Sequence, residues 1–177
     1  QKLGDVTPDK KRLIEQIQEN TAQLYSGTRD ILWSLQATND NLYEILHRIR
    51  DFGNDLFADT DISFQFAGTD SEWQNHKLPL DMSRNLIMIF KEALNNCLKY
   101  AGATQVTMEA ELKEGKVLHI SLADNGKGFN VEEVVKGNGL NNMRNRTERL
   151  KGKLYIDSKP GHGTVINLHF RVPGKQK

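Results

Sequence analysis

Two neighbouring stretches of the chain, residues 104–112 and 116–123, alternate apolar and polar side chains around a Glu114-Gly115 turn. Alternation with a period of two predicts half-buried β-strands, and the short turn predicts that the two strands pair as a hairpin. Each such strand has one apolar face, which another layer of structure must cover. This requirement constrains the fold more than any other feature of the sequence.

Helices with an apolar stripe are available to form that layer. Apolar residues recur at helical spacing in two long segments, and a glycine-rich loop leads into a third helix. The predicted helices cover residues 42–57, 81–101 and 140–150, and three further strands cover 62–66, 153–158 and 163–172. Asn39 or Asp40 is expected to cap the first of these helices, and Asp81 or Ser83 the second. The pattern predicts an α+β fold, a two-layer α/β sandwich whose mixed sheet carries its helices on one face.

A separate helix is predicted near the N-terminus. Thr7 and Pro8 form a helix-start signal. Apolar residues then recur at spacings of four and seven, at Leu13, Ile17, Leu24, Ile31 and Leu35. The polar stretch ATNDN interrupts this stripe. We therefore predict two domains, a loop and helix over residues 1–38 and the α+β fold over residues 39–177.

The composition excludes several classes of function. The chain has 24 Lys and Arg against 23 Asp and Glu, so it has no strong field that would attract nucleic acid or an acidic membrane surface. No run approaches the roughly 18 apolar residues of a membrane span. The single cysteine, Cys97, excludes an internal disulfide framework and fits a reducing compartment. We expect a cytoplasmic protein; because the chain begins at Gln1 without Met, a membrane anchor elsewhere in a longer parent stays open.

One polar set lies on the predicted helix 81–101. Glu92, Asn96 and Lys99 are spaced by four and three residues, so they share one side of the helix, and Tyr100 follows directly. A carboxylate, an amide oxygen and an ammonium group together suit Mg²⁺ and phosphates. The alternative is a solvated polar face.

Two further sets combine polar residues with glycines. Asp124 ends a strand and is followed by Gly126 and Gly128, an arrangement that suits an exocyclic amine on a planar ring; the alternative is a simple Asn-Gly turn. Asn125 and Lys127 are expected to be the least constrained positions of this motif. Gly137 and Gly139 precede the helix 140–150 and expose backbone N–H groups at its positive end, a natural phosphate site; the alternative is a tight connection.

Together, in this order, the three sets resemble the ATP-binding domain of sensor histidine kinases, within the superfamily of gyrase, heat-shock chaperone, histidine kinase and mismatch-repair ATPases. The resemblance rests on KEALNNCLKYA, DNGKGF, and GNGLNNMRNRTERLKGKL followed by GHGT, and it covers roughly residues 40–172. It implies the Bergerat ATP-binding fold. The Gly-Leu-x-x-Met-x-x-Arg form and the upstream DILWSLQATNDNL are similar to the HisKA_3-type subfamily of nitrate-sensor and membrane-fluidity kinases.

The resemblance implies roles for the residues of the helix. Asn96 matches the Mg²⁺ ligand, and Glu92 matches the acidic residue that acts near the γ-phosphate; both are candidate catalytic residues. Lys99 and Tyr100 match positions that contact phosphate and nucleotide, although many relatives have His where this chain has Tyr100.

It also implies a nucleotide pocket at the strand ends. Asp124 matches the carboxylate that accepts a hydrogen bond from the adenine amine, and Gly126 and Gly128 match the glycines that shape the pocket. The remaining implied ATP contacts are the hinge and start of the following helix and a threonine beside the aspartate, namely Gly137, Gly139, Leu140 and Thr164.

The resemblance implies a catalytic domain that transfers the γ-phosphoryl group of Mg²⁺-bound ATP to a histidine, with a response regulator receiver domain as the next acceptor and a homodimeric full-length kinase. No histidine of this chain is followed by Asp or Glu as in the family's phosphoacceptor motif, so we expect the acceptor to lie upstream and all five histidines to be structural: His47, His76, His119, His162 and His169. The alternatives are an anti-sigma-factor serine kinase, another ATPase of the superfamily, and a scaffold that dimerises without binding nucleotide. We expect this chain to contact neither nucleic acid nor membrane.

Overall fold

A computed structural model describes Thr21 and residues 41–114, 116–132 and 138–174. The chain divides into two compact units, Gln1–Ala37 and Thr38–Lys177. In the first unit the description is limited to Thr21, which is helical. The predicted apolar stripe of residues 13–35 therefore lies outside the described residues, as does Gly137 in the second unit.

The second unit alternates helices with the strands of one sheet. In chain order its elements are α1 (Leu42–Phe57), β1 (Ser63–Ala67), a 3₁₀-helix (Ser71–Asn75), α2 (Leu80–Asn96), a π-helical turn (Cys97–Ala101), β2 (Gln105–Lys113), β3 (Val117–Asp124), α3 (Asn138–Arg149), β4 (Lys153–Ser158) and β5 (Thr164–Arg171). The strand order is β1-β2-β3-β5-β4. β1 is parallel to β2, and the other neighbouring pairs are antiparallel. The predicted mixed sheet is thereby confirmed.

One face of this sheet forms the core with the helices. Alternate residues of the three central strands are buried, as expected of strands covered on one side. They are Val106, Met108 and Ala110 on β2, Leu118, Ile120 and Leu122 on β3, and Ile166, Leu168 and Phe170 on β5. Leu46, Leu86 and Phe90 of the helices are fully buried with them. Burial of such a side chain contributes about 1.5–3 kcal/mol. The predicted two-layer α+β fold is confirmed.

The helix starts differ from the predicted ones. Asn41 caps α1, because its side-chain oxygen accepts a hydrogen bond of 2.9 Å from the Glu44 N–H. Pro79 occupies the cap position of α2 and gives no side-chain cap bond. The predictions of Asp81 and Ser83 as caps were therefore wrong, and Asp81 instead lies in the first turn, where its charge complements the positive helix end.

A short 3₁₀-helix lies where a plain loop was predicted. Asp70 caps it by accepting a 2.9 Å hydrogen bond from the Glu72 N–H. Its central Trp73 is buried, so this connection contributes to the core as well as joining β1 to α2. A lone tryptophan in a polar stretch has no periodicity that would reveal this burial.

The helical path of α2 widens at its end. Residues Cys97–Ala101 form a π-helical turn, which ends at Gly102 in the left-handed region with φ of +60°. π-Helical turns within α-helices often occur at functional sites. Here the turn carries Cys97 inward, whereas Lys99 and Tyr100 are exposed, Tyr100 to 64%.

Candidate functional site

Three polar side chains lie side by side at one end of the covered face of the sheet. Asp124 of β3 pairs with Thr164 of β5, and Thr164 pairs with Ser158 of β4. Directly opposite residues of antiparallel strands share a face, with Cβ atoms about 4.5–5.5 Å apart. We call Asp124, Thr164 and Ser158 the polar row. Asp124 and Thr164 were predicted site residues, whereas Ser158 was missed, because only the β4–β5 register brings it to the others.

The carboxylate of Asp124 is held from two sides. Its Oδ1 accepts a 2.9 Å hydrogen bond from the Gly126 N–H, and the Cys97 thiol approaches its Oδ2 to 3.7 Å. Burial raises the pKa of the Cys97 thiol to about 12, and the Asp124 charge and this hydrogen bond add to the effect. Cys97 follows Asn96 directly, so one junction in the chain connects the polar row with the predicted phosphate-binding face of α2.

The raised pKa predicts that Cys97 is a slow nucleophile. Because the thiolate is the reactive form, alkylation by iodoacetamide at pH 8 should be at least about tenfold slower in the folded chain than in the chain unfolded by urea. Asp124→Asn should accelerate the reaction of the folded chain, but by less than unfolding does, since burial is the larger cause. Cys97 is the sole cysteine, so the mass of the intact chain reports its alkylation directly. Equal rates in the folded and unfolded chain would contradict the prediction.

The glycines after Asp124 make room for the protein's own backbone. A Cβ atom on Gly126 would overlap the carbonyl oxygen of Ala101, which also accepts a 2.8 Å hydrogen bond from the Lys127 N–H. Gly128 has φ of +59°, and a Cβ there would overlap the carbonyl oxygen of Lys159. The loop thus packs directly on the π-helical turn, and this packing fixes where the carboxylate of Asp124 can lie.

Asn125 is more constrained than the sequence indicated. Its Oδ1 accepts hydrogen bonds of 2.9 Å from the backbone N–H groups of Thr104 and Gln105, and its Nδ2 donates to Thr104 Oγ1 at 2.9 Å. The expectation that Asn125 is among the least constrained positions was wrong. Its side chain connects the loop to the start of β2 although it is exposed, as Lys127 is. Nothing in the local sequence pattern reveals that connection.

The predicted phosphate-binding residues meet where α2 passes the first turn of α3. Glu92 and Asn96 are half-buried on α2. A Cβ on Gly139 would overlap Oε1 of Glu92 and would lie 3.6 Å from Nδ2 of Asn96. Leu140 follows in the same turn of α3 and is also half-buried. The structure therefore brings Glu92, Asn96 and the positive end of α3 together.

The donors at this place fit Mg²⁺ in the presence of phosphates. The described residues contain no cluster of three or more His, Cys, Asp or Glu side chains that could hold a metal ion without other ligands. Mg²⁺ needs no such cluster, since it is commonly bound by one or two protein oxygens, water and substrate phosphates. The amide oxygen of Asn96 and the carboxylate of Glu92 are one helical turn apart and supply oxygens of that kind.

The described histidines lie elsewhere. His119 and His169 stack at 4.1 Å between ring centroids on the face of the sheet opposite to the polar row, and His119 Nε2 lies 3.2 Å from Asn167 Oδ1. His76 is buried, with Nδ1 3.4 Å from the Pro173 carbonyl oxygen. His47 packs on the ring of Tyr43, and His162 is exposed in the β4–β5 turn.

Comparison with known proteins identifies the fold and the family. Among solved structures, the histidine kinase domain of the Erythrobacter litoralis EL346 blue-light activated histidine kinase aligns with a TM-score of 0.62 at 20% identity, covering 75% of this chain and 63% of that chain. Full-length ShkA, solved in complex with AMPPNP, aligns with a TM-score of 0.64 at 14% identity, covering 98% of this chain and 41% of that one. At such identities these likenesses show the fold alone.

The sequence relatives are sensor proteins. Sensor protein VraS of Staphylococcus aureus (strain COL) is 38% identical over 98 residues, which are 55% of this chain and 28% of the relative. Its counterpart in Staphylococcus haemolyticus (strain JCSC1435) is 36% identical over 96 residues. The chain thus spans little more than a quarter of the length of these curated relatives.

Residues 82–174, more than half of the chain, match the family described as histidine kinase-, DNA gyrase B-, and HSP90-like ATPase. The match begins in the first turn of α2 and ends after β5, so it includes both Asn96 and the polar row. The chain therefore belongs to this ATPase family.

Proposed function

We propose that this chain is the ATP-binding catalytic part of a bacterial two-component sensor histidine kinase. It would transfer the γ-phosphoryl group of ATP to a histidine upstream of these residues, from which a response regulator receiver domain takes it. The observation that carries the proposal is the junction at Asn96 and Cys97. There Cys97 contacts the carboxylate of Asp124, and the side chains of Glu92 and Asn96, in the last turns of α2, lie beside the start of α3. A bound nucleotide needs a site for its base and a neighbouring site for its phosphates, and this junction offers a candidate for each.

The base site is assigned to the polar row. The Asp124 carboxylate is an acceptor whose two oxygens are already oriented by Gly126 and Cys97, and each oxygen has a further lone pair for a ligand. An adenine amine can donate to it. Gly126 and Gly128 serve this site indirectly, because they let the loop pack closely enough to hold the carboxylate in place.

The phosphate site is assigned to α2 and α3. Gly139 lies against Glu92 in the first turn of α3. The backbone N–H groups of that turn, Gly139 and Leu140 among them, have no partner within the helix and can bind phosphate oxygens. Gly137 is proposed as the hinge before this helix. Lys99 is exposed on the π-helical turn and can reach phosphate as a flexible cation, with Tyr100 beside it at the nucleotide.

Catalysis by these residues would consist of positioning and charge stabilisation, as in phosphoryl transfer generally. Asn96 would hold Mg²⁺, which when bound neutralises charge on the phosphates. Glu92, one turn earlier, would orient and polarise the group that attacks the γ-phosphate. Its neighbour Gly139 sets the distance between this carboxylate and the start of α3, since any side chain there would displace Glu92.

Residues 1–38 are proposed to be part of the dimerisation region of a homodimeric full-length kinase. The named relatives are sensor proteins, and sensor kinases work through such dimers in the family that the sequence resembles. None of the helices in the described part of the chain has the length and apolar character needed to cross a bilayer. We propose that this domain acts in the cytoplasm, where ATP and response regulators are found, whether or not the parent is anchored in the inner membrane.

The proposal is tested by phosphotransfer in trans. The chain is mixed with a polypeptide that supplies the upstream helix and its histidine, together with Mg²⁺ and ATP labelled on the γ-phosphate. We expect acid-labile phosphohistidine on the upstream helix, and its loss when Asn96 is changed to Ala. Acid-stable phosphoserine on a partner protein would contradict the proposal and favour an anti-sigma-factor kinase. Absence of both nucleotide binding and label would favour a scaffold.

A further inference from the structure

The Ser158 hydroxyl, at the outer end of the polar row, contacts three different polar groups. Its Oγ lies 2.9 Å from the Phe129 backbone nitrogen, 2.9 Å from the Gly163 carbonyl oxygen and 3.0 Å from Thr164 Oγ1. Ser158 is buried, with 8% of its surface exposed, and so is Thr164. Buried polar groups of this kind are costly unless each has a partner, so the direction of every hydrogen bond matters.

Counting protons fixes those directions. The Phe129 N–H can only donate, so Ser158 Oγ accepts from it. The Gly163 carbonyl can only accept, so the single hydroxyl proton of Ser158 is donated there. The third contact is then a hydrogen bond only if Thr164 donates its own proton to Ser158. The opposite direction would remove the Ser158 proton from the Gly163 carbonyl oxygen inside the protein.

The direction of the Thr164–Ser158 hydrogen bond also determines what Thr164 presents to Asp124. β5 lies between β4 and β3, so a Thr164 proton directed to Ser158 points away from Asp124. Towards Asp124 the Thr164 hydroxyl presents lone pairs alone. The carboxylate of Asp124 is also an acceptor. Two neighbouring acceptors therefore face any ligand that binds against this part of the row.

We propose that Ser158 is a positioning residue that makes the base pocket selective for a 6-amino over a 6-oxo purine, by holding Thr164 as a hydrogen-bond acceptor. The inference rests on the proposed function and deepens it. A 6-amino group has two protons, one for each acceptor, directly or through a water molecule. A 6-oxo group has no proton and would place a third acceptor against Asp124 and Thr164. The N1–H of such a base can satisfy at most one of the two acceptors, so the other is left unpaired.

The test compares the β,γ-imido analogues of ATP and ITP, which differ at position 6 of the base, by calorimetry in Mg²⁺. The unaltered chain should prefer the ATP analogue. In Ser158→Ala the Thr164 hydroxyl is free to turn and donate, so the ratio of the two affinities should fall roughly fivefold, a change expected from one neutral hydrogen bond. Ser158→Thr keeps a hydroxyl and should therefore keep the preference for the ATP analogue. A purely structural role for Ser158 would weaken both analogues equally, and an unchanged ratio would overturn the inference.

A second pair of variants tests whether Ser158 acts through Thr164. Thr164→Val keeps the side-chain volume, removes the hydroxyl and should lower the ratio by a similar factor, which also tests the idea if Ser158→Ala does not fold. Adding Ser158→Ala to Thr164→Val should lower the ratio no further, because the two residues act as a unit. Independent, additive effects would contradict the mechanism. If the unaltered chain binds neither analogue, the proposed nucleotide site itself is wrong. If it binds the ATP analogue but the ratio of the two affinities is the same in all variants, the selectivity mechanism alone is wrong.

Discussion

Replacing Asp124 with Ala is expected to weaken binding of the β,γ-imido ATP analogue roughly 100-fold, because it removes a charged acceptor from the base site. The same change removes the partner of the Gly126 N–H and of the Cys97 thiol, so the loop that shapes the pocket also loses its anchor. Calorimetry with Mg²⁺ measures the affinity, and thermal unfolding separates loss of binding from loss of fold. Asp124→Asn keeps the shape of the side chain and should lose nearly as much, since it places an N–H donor or a neutral oxygen against the amine.

Asp157→Ala is the matched control for this experiment. Asp157 lies on β4, pairs with Val165 and is exposed, one residue from Ser158 but on the opposite face of the sheet. Its removal changes the net charge by the same amount as Asp124→Ala. We expect the affinity of Asp157→Ala to stay within about twofold of the unaltered chain, as surface substitutions usually have small effects. Equal affinities of the Asp124 and Asp157 variants would remove the adenine assignment.

The second large effect is expected from Gly126→Ala, and Gly139→Ala provides its contrast. The methyl group added at Gly126 would overlap a backbone carbonyl oxygen, that of Ala101, which cannot move without disturbing the π-helical turn. Overpacking of this kind costs about 1–3 kcal/mol, and we expect the melting temperature to fall by on the order of 5–10 °C together with nucleotide affinity. The methyl group added at Gly139 would overlap Glu92 Oε1, which is the far end of a flexible side chain.

Gly139→Ala should therefore leave stability within about 1 kcal/mol of the unaltered chain, helped by the higher helix propensity of alanine. It should nevertheless lower the rate of phosphotransfer more than it lowers ATP affinity, because Glu92 is displaced from the start of α3. Thermal unfolding, calorimetry and the trans-phosphorylation assay measure the three quantities on the same preparations. If the two glycine variants lose stability equally, the assignment of a rigid contact to Gly126 and a flexible one to Gly139 is wrong.

The sheet could be predicted because burial of one face produces an alternation of apolar and polar residues within each strand. The alternation that predicted β2 and β3 is the burial alternation of those strands, and the Glu114 turn between them adopts φ of +51° as a tight turn requires. The stripe on α2 likewise matches its buried side. The polar positions at Glu92, Asn96 and Asp124 could be singled out because each interrupts or ends such a pattern.

The missed features depend on contacts between residues far apart in the chain. Ser158 continues a strand alternation and resembles any serine before a turn until β5 pairs beside it. Asn125 forms hydrogen bonds with Thr104, 21 residues earlier in the chain, and a local sequence pattern cannot predict a contact at that separation. The π-helical turn has no signature in a stripe of period 3.6, and neither has the hydrogen bond that its last residue, Ala101, accepts from the Lys127 N–H of the loop.

The polar row also has a consequence for how this unit opens and closes. Among the described strands, β2–β3 and β4–β5 are two hairpins that meet in the sheet at the β3–β5 pair. Asp124 belongs to one hairpin, Thr164 and Ser158 to the other. A nucleotide held by all of them would bind only when both hairpins are docked, so it would raise the free energy of opening either one and merge them into a single cooperative unit. Bound nucleotide should then slow amide hydrogen exchange in both hairpins, although the pocket lies at only one end of each.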